Sequence, residues 1–408
     1  MHLRCVDCAA QHPPDLRYAC ERCGGILEVS EPGGVRTSDD SYLQASMWRY
    51  GSALPVSKLS SIVSLGEGLT PLHRARRLGR AISGFDGELW LKDETVNPTG
   101  SFKDRYISVA VSRARELGVA GIVCASSGNA GASASAYAGR AGLPAVVVAP
   151  SHTPIEKLTQ IAACGAVLLK VDGHYSNSYR IAQDLAERHK LANVTTTFVN
   201  PYGVAALDTV AREIFEQLGG RAPDYVLIPT GAGPLVKGIV HGFRDIASNC
   251  APRVIAVQAE GCAPIVRAFD RGESAVEAWG TPATIASGIS DPLVGYEGDG
   301  TYTLRLTRET DGLAVAVSDE RIVEAMRVLA RLEGVLAEPT GASSVAALMK
   351  LAGLTLIPAG SCVVCLITGH GFKDFKVFRE MPTRVFHLDA PQASRAIEEA
   401  IEGLIGGR

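Results

Sequence analysis

The chain has 408 residues, of which 46% are hydrophobic and 20% charged, so it can bury a large core and is neither disordered nor collagen-like. Its 40 Lys and Arg residues against 43 Asp and Glu residues leave a net charge of -3, which argues against nucleic acid as the main partner. No apolar stretch reaches the roughly 18 residues of a membrane span, and the start lacks the apolar run of a signal peptide. We therefore expect a cytoplasmic protein of two domains with a small appendage.

The first predicted element is a cysteine-rich segment. Ten cysteines are many for a compartment that keeps thiols reduced, and four of them lie in the first 23 residues as Cys5-x-x-Cys8 and Cys20-x-x-Cys23. Two such pairs predict a zinc-ribbon-like appendage over residues 1–30, in which four thiolates bind one structural zinc ion. The alternative is that the two turns survive as a relic of that fold without metal.

After a linker rich in Gly, Pro and Ser at 30–60, apolar segments of strand length alternate with segments of helical spacing. The predicted strands are 89–92, 120–125, 145–149, 166–171, 197–199, 225–228, 254–257 and 362–367. The predicted helices are 102–117, 130–141, 154–164, 175–189, 205–218, 235–246, 319–333 and 342–352. Buried strands that alternate with helices predict parallel sheets flanked by helices.

The loops that follow predicted strands carry the candidate chemistry, because ligands of open α/β sheets bind beyond the carboxyl ends of the strands. The loop at 97–104 places Lys103 after a Pro-Thr-Gly turn, and burial there would lower its pKa and suit it to Schiff-base chemistry. The loop at 126–131 is rich in small residues and offers the amide of Asn129. Taken alone, this second loop is equally consistent with a tight turn between a strand and a helix.

Two later loops complete the set. The loop at 229–235 places Gly231 and Gly233 at a helix start, where backbone amides bind an anion such as phosphate, although it lacks the full Rossmann or Walker spacing. The loop at 366–371 ends a strand with Thr368, whose hydroxyl either caps the next helix or bonds a ring nitrogen. A Lys, an Asn, a phosphate cradle and a hydroxyl together match the functional groups of pyridoxal phosphate.

These loops stand in motifs that resemble those of threonine synthases, within the tryptophan-synthase-β-like group (fold type II) of pyridoxal-phosphate enzymes. The resemblance begins at the cysteine pairs and continues through LGEGLTPL at 65–72, KDETVNPTGSFKDR at 92–105, ASSGNAGASASAYA at 125–138, PTGAG at 229–233, EPTGASSVAAL at 338–348 and ITGHGFKD at 367–374. The order and coverage of these motifs are far more specific than any single loop.

The resemblance implies a role for each candidate residue. Lys103 would hold the cofactor through a Schiff base and then move the Cα proton of the substrate, and Asn129 would bond the O3′ oxygen of the cofactor ring. Backbone amides of one loop would hold the 5′-phosphate, Thr368 would face the pyridine nitrogen, and another loop would receive the substrate carboxylate. The phosphate loop consists of Gly231, Ala232, Gly233 and Leu235, and the carboxylate loop of Ser126, Ser127 and Gly128.

The resemblance also implies the architecture, an α/β fold of type II with two open domains of mainly parallel strands beside the appendage. The cofactor would lie between a larger and a smaller domain. The larger domain comprises residues 35–104 and 205–375, and the smaller one residues 105–204. The tail, residues 376–408, would contain a helix from Ala393 to Leu404. An amino acid would be the substrate, and the family's common dimeric state implies a homodimer.

One segment departs from the family. Threonine synthases usually follow Asn-Pro-Tyr with an Arg, a Glu and a Lys that help to hold the substrate phosphate, and here those positions are Gly203, Ala205 and Asp208. The position after Asn129, often Thr in the family, is Ala130. Losing a guanidinium removes a charge-assisted phosphate contact. The sequence therefore predicts a lyase for β- or γ-elimination or replacement on an activated amino acid other than O-phosphohomoserine.

Three other interpretations stay open. The first is a genuine threonine synthase, which makes threonine and phosphate from O-phosphohomoserine and water, with Lys237, His174 and Arg180 as candidate phosphate ligands. The second is a cysteate-synthase-like enzyme or a deaminating lyase. The third is a zinc-ribbon adaptor on an inactive enzyme body. The few basic residues of the first 30, and the presence of the Lys, Asn and Thr of the site, argue against an adaptor.

Overall fold

The computed structural model describes residues 1–126, 128–151, 153, 155–173, 175–247 and 251–379. Residues 1–374 form one compact unit, and residues 375–408 form a second. In the second unit only helix α14 is described, so the helix predicted from Ala393 to Leu404 lies outside the described residues. Within the described ranges, no helix is long and apolar enough to cross a membrane.

The described strands and helices alternate along most of the chain. The strands are β1 His2–Cys5, β2 Gln11–His12, β3 Leu27–Ser30, β4 Leu72–Arg74, β5 Glu88–Asp93, β6 Ile122–Ala125, β7 Ala145–Pro150, β8 Val167–Val171, β9 Ala192–Asn193, β10 Tyr225–Pro229, β11 Arg253–Ala259, β12 Leu313–Val317 and β13 Cys362–Ile367. The helices are α1 Ser41–Gln44, α2 Arg76–Ala81, α3 Lys103–Glu116, α4 Asn129–Ala141, α5 Ile155–Ala163, α6 Tyr175–His189, α7 Pro201–Ala206, α8 Asp208–Gln217, α9 Pro234–Ile246, α10 Pro264–Asp270, α11 Glu297–Glu309, α12 Asp319–Val328, α13 Pro339–Gly353 and α14 Phe375–Arg379.

Three sheets organise these elements. A six-stranded sheet has the order β12-β11-β10-β13-β5-β4, and its neighbours are parallel except for β4 against β5. A four-stranded sheet, β8-β7-β6-β9, is parallel throughout. The appendage is a small antiparallel sheet, β2-β1-β3. The predicted α/β class with mainly parallel sheets and a small appendage is confirmed. The division into a large and a small domain stays a prediction.

The apolar runs of the sequence are strands covered on both faces. Every residue of β6, β10 and β13 is buried, as expected for parallel strands between layers of helices. The strand predicted at 197–199 is wrong, because β9 ends at Asn193 and the chain then turns. The hydroxyl of Tyr106 donates to the carbonyl oxygens of Thr195 (2.8 Å) and Thr197 (3.0 Å), so these carbonyls do not enter a sheet ladder.

A cluster of fully buried charges fixes the start of α3. Arg105 Nε donates to Glu94 Oε2 at 2.7 Å, and its Nη2 donates to Glu213 Oε2 at 2.7 Å. Lys92 Nζ donates to the same Glu213 oxygen at 2.6 Å. Burial alone would raise the pKa of Glu213, but Arg105 and Lys92 lower it to about 2. The cluster joins β5, α3 and α8 only two residues from Lys103.

Candidate active site

A cavity of about 380 Å³ lies where loops from the two parallel sheets meet. The loops that follow β5, β6, β10 and β13 all contribute to its wall, so the four motifs singled out in the sequence converge on one space. Parallel strands place their carboxyl ends at the same edge of a sheet, and this arrangement brings together loops that are far apart in sequence. The cavity is therefore the candidate active site.

Lys103 is the first residue of α3 and lines the cavity. Its Nζ donates a hydrogen bond to Thr196 Oγ1 at 2.8 Å. Burial lowers the pKa of Lys103 to about 8, although the carboxyl groups of Asp291 and Glu338 oppose this shift in part. About a tenth of the amine is then neutral at pH 7, far more than for an ordinary lysine, which favours Lys103 as a nucleophile and base.

The loop after β6 holds its shape through Ser126. The Oγ atom of Ser126 accepts hydrogen bonds from the backbone amides of Gly128 (3.1 Å) and Gly131 (2.8 Å), at the start of α4. Ser127 lies outside the described residues. Asn129 Nδ2 donates to Glu338 Oε1 at 2.7 Å, and Glu338 is 4% exposed at the start of α13. The Asn129 amide is thus oriented by a buried carboxyl group that the sequence analysis missed.

The loop after β10 leads directly into a helix and lines the cavity. Gly231, Ala232, Gly233 and Leu235 all line the cavity, and α9 begins at Pro234 directly behind them. Gly233 has a φ of +110°, and a Cβ there would overlap the side chain of Thr303. Only glycine fits this turn, which aims backbone amides and the positive end of the α9 dipole at the cavity.

Thr368, at the end of β13, has an unsatisfied hydroxyl. It is 2% exposed, and its Oγ1 atom has no hydrogen-bond partner among the described residues. A buried hydroxyl without a partner costs about 1–3 kcal/mol. Because Thr368 lines the cavity, a ligand atom there would satisfy it.

Part of the cavity wall is made of neutral polar and aromatic side chains. Tyr106, Tyr175, Thr196 and Thr197 line it. A Cβ on Gly203 would overlap the ring of Tyr106, so this position has no room for a larger side chain.

Asp208 corrects one step of the sequence analysis. It does not face the cavity but pairs with Lys237, with 3.1 Å between Nζ and Oδ1. Its carboxylate therefore does not repel a substrate anion directly. Of the candidate phosphate ligands, Lys237 and the exposed Arg180 do not line the cavity, and His174 lies outside the described residues.

Two lysines that the sequence analysis missed do line the cavity. Lys157, on α5, donates to Ser287 Oγ at 2.7 Å and to Asp374 Oδ2 at 2.8 Å. Lys373 donates to the carbonyl oxygen of Thr99 at 2.6 Å. No motif marks Lys157, which stands in an ordinary amphipathic helix, so only the packing of α5 against the loops reveals its position.

The four N-terminal cysteines lie together, apart from the cavity. Their Sγ atoms are all within 4.8 Å of one another, with 3.5 Å between Cys5 and Cys23 and 3.6 Å between Cys8 and Cys20. A tetrahedral zinc site with Zn–S bonds of about 2.3 Å has S–S edges of about 3.8 Å. The cluster is therefore close to the size that a four-thiolate zinc site needs.

Comparison with known proteins identifies close similarities over most of the chain. A family model described as pyridoxal-phosphate dependent enzyme matches residues 63–369. A threonine synthase of Methanosarcina acetivorans is 35% identical over 411 residues, covering 98% of this chain and 99% of that protein. A threonine synthase of Methanocaldococcus jannaschii is 37% identical over 382 residues, covering 91% of this chain and 92% of that protein.

Solved structures agree in fold. A threonine deaminase from T.th. superposes with a TM-score of 0.61 at 28% identity, covering 78% of this chain and 94% of that one. A pyridoxal 5'-phosphate-dependent aspartate racemase superposes with a TM-score of 0.65 at 25% identity, covering 76% of this chain and 92% of that one. The region that the family model matches contains the whole candidate active site except Phe372 and Lys373 of its wall.

Proposed function

This chain belongs to the pyridoxal-phosphate dependent enzyme family, and we propose that it eliminates or replaces a side-chain substituent of an amino acid other than O-phosphohomoserine. Its threonine synthase relatives make it an enzyme of the carbon–oxygen lyase type. The proposal concerns the substrate and the residues that act on it.

The cavity fits pyridoxal phosphate in two independent ways. The orphaned hydroxyl of Thr368 needs a partner of the kind that a pyridine nitrogen offers. The turn at Gly233, open only to glycine, presents backbone amides to a phosphate. We assign the 5′-phosphate to the amides of the loop from Gly231 to Leu235, the pyridine nitrogen to Thr368 and the O3′ oxygen to Asn129.

The remaining roles follow from position. Bound pyridoxal phosphate supplies electron withdrawal from the substrate Cα. Lys103 would hold the cofactor, and its Nζ would serve as the base for the Cα proton of the substrate, for which a pKa of about 8 is well matched. Ser126, Gly128 and Ser127 receive the substrate carboxylate at the start of α4, where the helix dipole favours an anion.

The lack of a cationic side chain on α7 is the observation that carries the substrate proposal. A phosphate dianion on a substrate needs cationic donors, and α7 provides Gly203 and Ala205 at the positions of the family's Arg and Glu. The hydroxyls of Tyr175, Thr196 and Thr197 suit an uncharged leaving group instead, such as a hydroxyl or an acyl ester.

Threonine synthase itself is the second candidate. Its supports are the relatives of that name, which match 91–98% of this chain, and the two lysines in the cavity wall. Lys157 is engaged by Asp374, so a substrate phosphate would have to displace that carboxylate to bind it. This competition favours the first proposal.

A steady-state assay of the cofactor-loaded enzyme separates the two. We expect O-phosphohomoserine to be turned over with a kcat/KM at least about a hundredfold below the ordinary range of ~10⁴–10⁸ M⁻¹s⁻¹ for enzymes. A serine, homoserine or O-acetyl ester substrate should react faster, giving a keto acid or a replacement product. Threonine formation from O-phosphohomoserine at ~10⁴ M⁻¹s⁻¹ or above would contradict the proposal. In that case Lys157→Ala should raise its KM, which would identify the phosphate ligand.

We infer further that Cys5, Cys8, Cys20 and Cys23 hold one structural zinc ion. Because four thiolates close the coordination shell, Cys20→Ser should lower thermal stability and zinc content while leaving kcat of the soluble fraction within about twofold. Metal analysis and thermal unfolding measure this. Cys164→Ser, at an exposed cysteine outside the cluster, is the matched control and should change neither. Zinc-free protein of unchanged stability would leave only the relic interpretation.

A cytoplasmic location and a homodimer remain predictions from the sequence and the family resemblance.

A further inference from the structure

A second cavity, of about 890 Å³, lies between the appendage and the body of the first unit. Its wall is formed by residues from four places. These are 6–26 of the appendage, α6 with the two residues that follow it (190 and 191), residues 198 and 199, and the segment 295–305. Among the described residues, it shares no lining residue with the candidate active site. The proposed function gives this space no role.

Asp299 is the unusual group in this cavity. It lines the wall and is only 7% exposed. Its Oδ2 atom accepts one hydrogen bond, from the backbone amide of Phe198 at 3.1 Å, and within the part of the chain that the structure describes it has no ion pair. Burial raises the pKa of Asp299 to about 8, because no cation among the described residues offsets the loss of water. A carboxyl group this buried is a stable anion only when a cation reaches it, and the ammonium group of a ligand in the cavity would supply that cation.

Aromatic side chains share the cavity wall with this carboxyl group. Tyr179 and Tyr296 stack with ring centroids 4.4 Å apart, and Phe198 packs against Tyr302 at 5.3 Å. All four residues line the cavity. Aromatic faces and a carboxylate together form the environment that binds an organic ammonium group.

Charged side chains of both signs line the same cavity. The cations are Arg17, Lys190 and Arg305, and the carboxylates besides Asp299 are Asp7, Glu187 and Glu297. Arg17 is paired with Asp15 and Arg305 with Asp7, so a ligand carboxylate would compete with these partners for an arginine.

We propose that this second cavity is a binding site for a small molecule with a primary ammonium group, and that Asp299 is its anchor. An apolar side chain would pack against the tyrosines. A free amine and an amino acid share the ammonium group, and they differ in whether the arginines of the cavity wall contribute.

The site is also placed to communicate with the active site. Tyr296 lines the second cavity, and its hydroxyl donates to Asp291 Oδ1 at 2.5 Å. Asp291 lines the first cavity beside Gly231 of the phosphate loop. A ligand packed on Tyr296 would therefore act on a wall residue of the active site through a single hydrogen bond.

Isothermal titration of the cofactor-loaded enzyme tests the site with two pairs of probes, phenethylamine with L-phenylalanine and isobutylamine with L-valine. We expect saturable binding that leaves the visible absorbance of the cofactor unchanged. Asp299→Asn should weaken it at least tenfold. Gly298→Leu should abolish it by filling space, because a Cβ at Gly298 has no atom within 4 Å and the fold should tolerate the change. Asp184→Asn, on α6 but outside the cavity wall, is the matched control and should bind normally.

Tighter binding of the amino acid than of its paired amine would show that the arginines contribute, and equal binding would assign recognition to Asp299 and the tyrosines alone. Three results would overturn the proposal. The first is that no probe binds. The second is that Asp299→Asn and Gly298→Leu both bind the probes as tightly as the unmodified enzyme does. The third is binding that changes the cofactor spectrum, which would belong to the active site. None of these depends on which substrate the enzyme uses.

Discussion

Lys103→Ala is expected to lower turnover of any substrate by at least about 10⁴-fold, because one amine serves both as covalent anchor and as proton carrier. Pyridoxal phosphate should still bind, held by the amides of the loop that begins at Gly231 and by Thr368. The variant should therefore contain cofactor that dissociates on dialysis, with the absorbance of the free aldehyde and not of a Schiff base.

Borohydride reduction followed by peptide mapping measures the attachment directly. In the unmodified enzyme the cofactor should be fixed on Lys103, and in Lys103→Ala on no lysine. Lys157 and Lys373 are the informative alternatives, because both line the same cavity. Lys157→Ala, the matched control, should keep the label on Lys103, and a label found on Lys157 or Lys373 instead would refute the assignment.

The parts of the site that the sequence predicted are those encoded by neighbouring residues. The cradle at Gly231 and Gly233 could be recognised because its glycines stand together before a helix, and the structure shows the positive φ at Gly233 that requires glycine. Lys103 could be recognised for a similar reason, since a Pro-Thr-Gly turn precedes it by only a few residues. Strand ends and helix starts are local features, so the loops that join them are readable in the sequence.

The residues that were missed are joined across long stretches of chain. Asn129 and Glu338 are 209 positions apart, and only the fold brings the start of α4 and the residue before α13 into a hydrogen-bonded pair. Lys157 and Asp374 are 217 positions apart. The interpretation of Asp208 failed for the same reason, because its partner, Lys237, lies on another helix.

In the fold, too, the sequence predicts the features that local residues encode and misses the others. Strands such as β10 and β13, buried on both faces, leave continuous apolar runs that predict them well. The short antiparallel strands β1, β2 and β4 have mixed burial and were not predicted. The sequence predicts a strand at 197–199 because a buried loop can be as apolar as a buried strand. This loop is buried because it lies against a cavity, which Thr197 lines.

The buried charge cluster leads to the second large effect, on stability. Arg105→Met should lower the free energy of unfolding by about 3–5 kcal/mol, because it leaves Glu94 and Glu213 buried with Lys92 as their remaining cation. Urea unfolding, followed by fluorescence, should show a lower midpoint. Arg115→Met, at an exposed position of the same helix, is the matched control and should stay within about 0.5 kcal/mol.

The double variant Arg105→Met with Glu213→Gln tests whether the stability lost in Arg105→Met comes from lost packing or from unpaired buried charge. If the cost comes from buried carboxylates without partners, removing one of the two negative charges should restore part of the stability, although it adds a second substitution to the core. The sign follows from the depressed pKa of Glu213, about 2, which means that the carboxylate is strongly favoured only while Arg105 and Lys92 are both present. A double variant that is less stable than Arg105→Met alone would show that hydrogen bonding and packing by Glu213, and not its charge, decide the effect.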